Sequence, residues 1–238
     1  MSFADNLAGI QQRIRAACAR AGRDESSVIL LAVSKTQPAE VIGEAISCGQ
    51  IFFGENKVQE GKAKIPLSPG RARWHFIGHL QSNKTRDAVE LFEMIQSVDS
   101  LSLAQEISKR CEQASKQMPI LLEVNAAGES SKFGYQPEKL LSELKELSSL
   151  PRLTLQGLMT VPPYATEPER SRPHFKRLRE LRSRCEEVLE SPLPHLSMGM
   201  SGDFEIAIEE GATIVRVGTA LFGPRKSRVN VISSQSDA

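Results

Sequence analysis

The stretch ILLAVSKTQPAEVIGEAISCG, residues 29–49, decides the fold. It begins with a continuous apolar run, breaks at Ser34 and Lys35, and continues with a helical spacing of apolar residues over 38–48. An uninterrupted apolar run is typical of a strand that is buried on both faces, as in a parallel sheet. The stretch therefore predicts one β-strand followed by one helix.

The same unit recurs along the whole chain. Seven more strands are predicted at IFFG (51–54), WHFIG (74–78), IQSV (95–98), ILLEVN (120–125), LQGLMT (155–160), HLSMGM (195–200) and TIVRVG (213–218). The helical stretches are 38–48, 56–65, 80–92, 101–117, 137–148, 168–190 and 203–210. Eight such units in 238 residues predict an α/β fold, a single TIM-type (β/α)8 barrel. A doubly wound open sheet is the alternative if one strand has been divided in two.

An extra helix precedes the first strand. Leu7, Ile10 and Ile14 recur at helical spacing, and Gly22 ends the pattern. Glycine and proline occur at average frequency, 16 and 13 residues, which excludes collagen-like and mostly disordered chains. We expect one domain over 1–225 and a flexible C-terminal tail over 226–238.

Charge and cysteine usage narrow the class of protein. The 30 basic and 29 acidic residues leave a net charge of +1, so we expect neither nucleic acid nor membrane as a partner. The N-terminus has no apolar signal region, and the four cysteines form no CxxC pair. A cytoplasmic protein with reduced thiols is expected. His75 and His79 flank a strand and lack a third ligand, so no metal site is expected.

Polar residues follow the predicted strands, and in a TIM barrel the strand ends form one mouth where the chemistry takes place. These residues are Lys35, Asn56, His79, Asp99, Asn125, Met159 with Thr160, Ser201, and Arg216 with Gly218. A polar residue at a strand end is more often the start of a loop. Together, however, they define a candidate site.

Lys35 is the most informative of these residues because it directly follows the first strand. A lysine partly withdrawn from water releases its proton more readily, and its neutral amine can attack an aldehyde to form an imine. A solvated charge closing the strand is the alternative interpretation.

The loops after the seventh and eighth strands indicate a phosphate site. One reads MGMSGD (198–203) and the other RVGTALFG (216–223). Ser201 and Thr219 offer hydroxyls, the glycines allow close approach of the backbone, and helix N-termini direct N–H groups at an anion. Asp203 can serve at the same time as a helix N-cap.

With these residues in place, the chain resembles the pyridoxal phosphate homeostasis protein family. The matching stretches are AVSKT (32–36), FGENKVQE (53–60), WHFIGHLQSNK (74–84), VNAAGESSKFG (124–134), GLMTV (157–161), LSMGMSGD (196–203) and VRVGTALFG (215–223). They extend from the first strand to the eighth. The resemblance implies one barrel related to the first domain of alanine racemase-like enzymes.

The resemblance also implies the ligand and its contacts. Pyridoxal 5′-phosphate would be held as an aldimine on Lys35, without any catalytic residue. Its phosphate would lie against the two glycine-containing loops, its pyridine nitrogen would face an arginine, and the remaining residues would surround the ring. The implied cofactor-binding residues are Lys35, Asn56, His79, Met159, Ser201, Gly202, Arg216, Gly218 and Thr219.

The function implied by the resemblance is cofactor binding in vitamin B6 and amino- and keto-acid homeostasis, without turnover. Apo forms of pyridoxal phosphate enzymes are possible partners, and a monomer is expected. Arg216 supports this interpretation, because a like charge opposes protonation of the pyridine nitrogen. The chain also ends about 20 residues after the eighth strand, so we expect no second, racemase-type domain. The alternatives are a pyridoxal phosphate-dependent amino acid racemase and, more distantly, a phosphosugar aldolase.

Overall fold

A closed barrel of eight parallel strands forms the centre of the molecule. The computed structural model describes residues 2–68, 70–129 and 133–223. Within them the strands are β1 (Ile29–Val33), β2 (Phe52–Glu55), β3 (Arg73–Phe76), β4 (Met94–Val98), β5 (Met118–Glu123), β6 (Leu153–Met159), β7 (His195–Ser197) and β8 (Ile214–Val217). Each strand pairs with the next, and β1 closes the barrel against β8.

Helices alternate with the strands. Those of the described residues are α1 (Phe3–Arg20), α2 (Ala39–Ser47), α3 (Val58–Lys64), α4 (Thr85–Leu91), α5 (Leu101–Gln113), α6 (Pro137–Ser149), α7 (Arg172–Leu189), α8 (Phe204–Glu209) and α9 (Thr219–Phe222). The TIM-type barrel and the extra N-terminal helix are confirmed, and the open sheet is wrong because β1 and β8 are hydrogen-bonded. Every helix in these ranges is too short or too polar to cross a bilayer. The predicted tail, 226–238, lies outside the described residues.

The strands divide the apolar core into two layers. Ala32 points outward into the layer between the sheet and the helices, whereas Leu31 points into the barrel together with Met94, Leu121 and Ile214. Alternation of side chains along each strand produces this division. It also assigns Lys35, two residues beyond Val33, to the inner side of the barrel mouth.

The N-terminal helix supports the last two helices of the barrel. Ser2 and Asp5 form a capping box that starts α1. Arg13 of α1 makes a bidentate ion pair with Glu205 of α8, with its shorter N–O distance 2.7 Å. Asn6 Nδ2 donates to the carbonyl of Leu221 in α9 at 2.9 Å. The helix therefore fixes the two elements that follow β7 and β8.

The predicted seventh strand, 195–200, is longer than the observed one. The chain leaves the sheet after Ser197 because Gly199 takes a φ of 90°. A Cβ at Gly199 would lie 2.5 Å from Cβ of Ala207, so α8 packs directly on this turn. The turn brings Ser201 and Gly202 to the barrel mouth.

Candidate functional site

A cavity of about 480 Å3 opens at the C-terminal mouth of the barrel. Such a volume is typical of small-molecule and cofactor sites. Seven of the nine predicted site residues line it: Lys35, Asn56, Ser201, Gly202, Arg216, Gly218 and Thr219. Four different strand ends supply these residues, so the closed barrel brings them together.

Ser201 connects the two glycine-containing loops. Its Oγ accepts hydrogen bonds from the backbone N–H groups of Gly218 and Ala220, each at 3.3 Å. Both lone pairs of the hydroxyl are then used, and its proton is left to donate. Thr219 is exposed beside it at the start of α9. These loops can therefore offer hydroxyl donors to an anion.

Asp203 stabilises the conformation of the loop 198–203, which carries Ser201 and is called the serine loop. Its Oδ1 accepts from the backbone N–H of Met200 at 2.7 Å, and its Oδ2 accepts from the hydroxyl of Ser171, also at 2.7 Å. Asp203 is the N-cap residue of α8, but its side chain makes no hydrogen bond to the first turn of that helix. Its carboxylate accepts instead from the backbone N–H of Met200, the residue before Ser201.

Asn56 lines the cavity and carries a buried side-chain oxygen without a partner. Its Oδ1 is inaccessible to solvent and has no hydrogen-bond partner among the described residues. Gly78 packs against the backbone of Asn56, since a Cβ at that glycine would lie 2.1 Å from the Asn56 carbonyl oxygen. A buried polar atom without a partner is costly, so Asn56 is held in this position at some expense to the stability of the fold.

Arg216 is anchored by a hydrogen-bonded chain inside the barrel. Its two terminal nitrogens donate to Ser197 Oγ and to the Thr160 carbonyl, both at 2.7 Å. Ser197 donates onward to Gln96 Oε1 at 2.6 Å, and Gln96 Nε2 lies 2.8 Å from His75 Nδ1. Burial lowers the pKa of His75 to about 3, so the imidazole is neutral and Nδ1 accepts.

The positive charge of Arg216 persists at neutral pH. Burial lowers its pKa to about 10, while the nearby Glu123 and Asp203 act in the opposite direction. Burial also raises the pKa of Glu123 to about 7, with Asp99 adding to the rise and Arg216 opposing it. The floor of the mouth therefore holds one fixed cation and one carboxyl that titrates near neutrality.

The other two predicted residues do not line the cavity. His79 Nδ1 lies 3.2 Å from Asp99 Oδ2, and its ring stacks on Phe133 with a centroid separation of 3.8 Å. Met159 is fully buried in the barrel interior beside Leu31. His79 follows β3 and is exposed at the surface, whereas Met159 is the last residue of β6 and points into the barrel.

Several residues of the mouth were not predicted from the sequence. Gln37 and Tyr164 contribute to the lining, and Glu123, at the end of β5, interacts electrostatically with Arg216. Gln96 and Ser197 are the interior anchors of that arginine. The available signal was a polar residue at an inward position of an otherwise apolar strand.

The residues in 2–68, 70–129 and 133–223 include no group of three His, Cys, Asp or Glu side chains arranged for a metal ion. His75 and His79 have separate partners, Gln96 and Asp99. All four cysteines are free thiols, and three of them are buried.

The sequence and the fold are similar to those of known proteins. The family model of the alanine racemase N-terminal domain matches residues 6–226. A pyridoxal phosphate homeostasis protein of Aquifex aeolicus is 48% identical over 227 residues, which are 95% of this chain and 100% of the relative. One of Pseudomonas aeruginosa is 46% identical, covering 94% and 96%. PipY of Synechococcus elongatus, solved with PLP bound, has a TM-score of 0.82 and 37% identity, covering 93% and 100%.

Proposed function

Since this chain belongs to the pyridoxal phosphate homeostasis protein family, we propose that it binds pyridoxal 5′-phosphate and holds it as an imine on Lys35. The observation that carries the proposal is the cavity itself. It sets a strand-end lysine in the same lining as two loops that carry hydroxyl donors. The relatives' name and the PLP bound in PipY support the choice of ligand.

The donors and acceptors of the cavity fit this cofactor. Ser201, Gly218 and Thr219 would hold the phosphate through a hydroxyl proton and the N-terminal end of α9. Arg216 would face the pyridine nitrogen, and Asn56 would lie near the ring. Gly202 lies in open space beside the serine loop, where a ligand can approach its backbone. Each contact uses chemistry that the residue has available.

Lys35 would supply the covalent link. Its amine, when neutral, would be the nucleophile that condenses with an aldehyde of the ligand, with loss of water. When bound, the cofactor supplies this aldehyde and an aromatic ring that can withdraw electrons from a substrate carbon. The second property depends on protonation of the ring nitrogen, which the charge of Arg216 opposes.

We propose further that the protein stores or delivers the cofactor, in vitamin B6 and amino- and keto-acid homeostasis, rather than turning over a substrate. A racemase needs proton transfer on both faces of the α-carbon, and Lys35 can serve only one. Positioned proton transfer contributes about 10²–10⁴-fold in rate. Tyr164, the tyrosine in the cavity lining, is 90% exposed, which leaves it without the fixed setting of a proton donor.

The remaining elements of the proposal concern partners. Apo forms of pyridoxal phosphate enzymes would receive the cofactor by imine exchange, which needs no second proton donor. We propose a cytoplasmic monomer that binds neither nucleic acid nor membrane, in keeping with the even charge balance. An amino acid racemase is the alternative function, and the match to the alanine racemase N-terminal domain is the observation that favours it.

The imine is tested with purified protein and pyridoxal 5′-phosphate. We expect a long-wavelength imine band that is absent from the Lys35→Ala variant. The control is Lys57→Ala, which should retain the band, because Lys57 is an exposed residue just before α3. Borohydride reduction followed by peptide mapping should place the adduct on Lys35. An adduct on Lys57 or Lys84 instead would contradict the proposal.

The absence of turnover is tested separately with the loaded protein. It is incubated with L-amino acids while chirality and exchange of the α-proton for deuterium are followed. In parallel it is mixed with an apo pyridoxal phosphate enzyme, whose recovered activity is measured. Repeated racemisation that Lys35→Ala abolishes would establish the racemase, and failure to reactivate any apo-enzyme would refute delivery.

A further inference from the structure

A buried ionic cluster lies behind the lysine that lines the cavity. Lys64, at the end of α3, is 6% exposed and donates three hydrogen bonds. Its Nζ reaches Glu55 Oε1 at 2.7 Å, Glu60 Oε2 at 2.9 Å and the Ser34 carbonyl at 2.9 Å. An ammonium group has three protons, so Lys64 is fully satisfied.

The cluster makes hydrogen bonds to the backbone on both sides of Lys35. Lys64 holds the carbonyl of Ser34, and the Ser34 hydroxyl donates to Glu55 Oε1 at 2.7 Å. On the other side, Glu60 Oε2 accepts the backbone N–H of Thr36 at 2.6 Å. The residues immediately before and after Lys35 are therefore both hydrogen-bonded to the same ionic cluster.

Thr36 needs such a tether. Its φ is 67°, in the left-handed region that β-branched residues rarely adopt. The side chain of Thr36 is exposed and gains little from packing. A strained conformation persists only where the surroundings determine it, and here the surroundings are the carboxylate of Glu60.

The same cluster supports the second strand end of the cavity. Glu55 is fully buried and directly precedes Asn56, just as Ser34 precedes Lys35. Side chains alternate along a strand, so Ser34 and Glu55 point outward and are hydrogen-bonded to each other within the cluster. Lys35 and Asn56, the next residues along the two strands, point inward and line the cavity. One ionic cluster thus controls the backbone beneath two lining residues.

We infer that Lys64, Glu60 and Glu55 form a positioning clamp that aims Lys35 at the ligand aldehyde. The inference rests on the proposed function, because it concerns the efficiency of imine formation at that lysine. None of the three side chains lines the cavity. They act through the backbone of residues 34–36 and are positioning residues.

The clamp predicts that imine formation and ligand binding can be separated. Glu60→Ala releases the Thr36 amide but leaves the loops at Ser201 and Gly218 intact. We expect the affinity for pyridoxal 5′-phosphate, read from the imine band, to fall roughly tenfold, which corresponds to about 1.4 kcal/mol. The affinity for pyridoxine 5′-phosphate, which carries an alcohol instead of the aldehyde, should stay within about twofold of wild type.

Glycine at position 36 provides a rescue. Glycine adopts a positive φ without steric cost, so Thr36→Gly removes the need for the tether. In the Glu60→Ala background we expect Thr36→Gly to restore most of the lost imine affinity. A general loss of stability would not be repaired by a glycine in an exposed turn.

Lys64→Met tests the centre of the clamp, with Lys116→Met as its matched control. Lys116 is part-buried and, like Lys64, donates to main-chain carbonyls, those of Val89 and Phe92, but it precedes β5 at the opposite end of the barrel. Both variants should lose stability in urea unfolding. Only Lys64→Met should lower the affinity read from the imine band. If Lys64→Met does not fold, the Glu60→Ala and Thr36→Gly variants test the clamp.

The outcomes distinguish the two proposals. A wild-type protein that forms no imine overturns the proposed function and the clamp with it. A wild-type imine that Glu60→Ala leaves at full affinity overturns the clamp alone. The clamp is also overturned if Glu60→Ala weakens both ligands equally, or if Thr36→Gly brings no recovery.

Discussion

Removal of the hydroxyls at the two glycine-containing loops should create a phosphate-specific defect. The variant is Ser201→Ala combined with Thr219→Ala. In the structure Ser201 Oγ already accepts from the amides of Gly218 and Ala220, so its remaining function toward a ligand is to donate its proton. The substitution removes that donor and frees two amides that can turn toward the phosphate.

The size of the defect follows from these contacts. A hydrogen bond to a charged group contributes about 1.5–3 kcal/mol, or roughly ten- to a hundredfold in affinity. The freed amides offset part of the loss of Ser201, and Thr219 is exposed, so both residues belong at the lower end. We expect the double variant to bind pyridoxal 5′-phosphate about a hundredfold more weakly, and unphosphorylated pyridoxal less than about threefold more weakly.

The assay compares imine formation by the two aldehydes in wild type and variant. Ser108→Ala is the control, since Ser108 makes a comparable hydrogen bond to the Pro151 carbonyl, remote from the cavity. It should alter stability without altering the ratio of the two affinities. An equal loss for both aldehydes in the double variant would refute the assignment of these loops to the phosphate.

Two further predictions concern the stability of the mouth. Gly199→Ala should cost about 2–4 kcal/mol in urea unfolding, because φ is 90° and the new Cβ would lie 2.9 Å from Cα of Phe204, whereas Gly202→Ala in the same loop meets no atom within 4 Å and should be nearly neutral. Burial raises the pKa of Glu123 from 4.5 to about 7, so the wild type becomes less stable as the pH rises from 5 to 8 and the buried carboxyl has to ionise. Glu123→Gln does not ionise, and its free energy of unfolding should gain about 1–3 kcal/mol relative to wild type over this range. A constant difference across this pH range would contradict the second prediction.

The sequence predicts the barrel because each unit carries its own signal. The apolar run at 29–33 and the helical spacing after it are local, and eight repeats of that pattern leave few architectures. Strand ends are less predictable. Residues 198–200 are apolar enough to extend β7, but the close approach of α8 to Gly199 turns the chain away.

The candidate site could be predicted only as a set of strand ends. Parallel strands bring Lys35, Asn56, Ser201 and Arg216 to one mouth, whatever their separation in sequence. Enclosure was not predictable, because it depends on side chains from other segments. Met159 is a case in point, since it is fully buried among interior residues of other strands, such as Leu31 and Met94.

The interior of the barrel explains why a cation occupies position 216. The Thr160 carbonyl can only accept, and Ser197 gives its proton to Gln96 and presents a lone pair to the guanidinium. A carboxylate at this position would face two acceptors in a buried site and would be repelled by both. The hydrogen-bond directions of the barrel interior therefore require a donor beside the proposed ring nitrogen. Because that donor carries a positive charge, the same network would, under the proposed placement of the ligand, disfavour the protonated ring on which turnover depends.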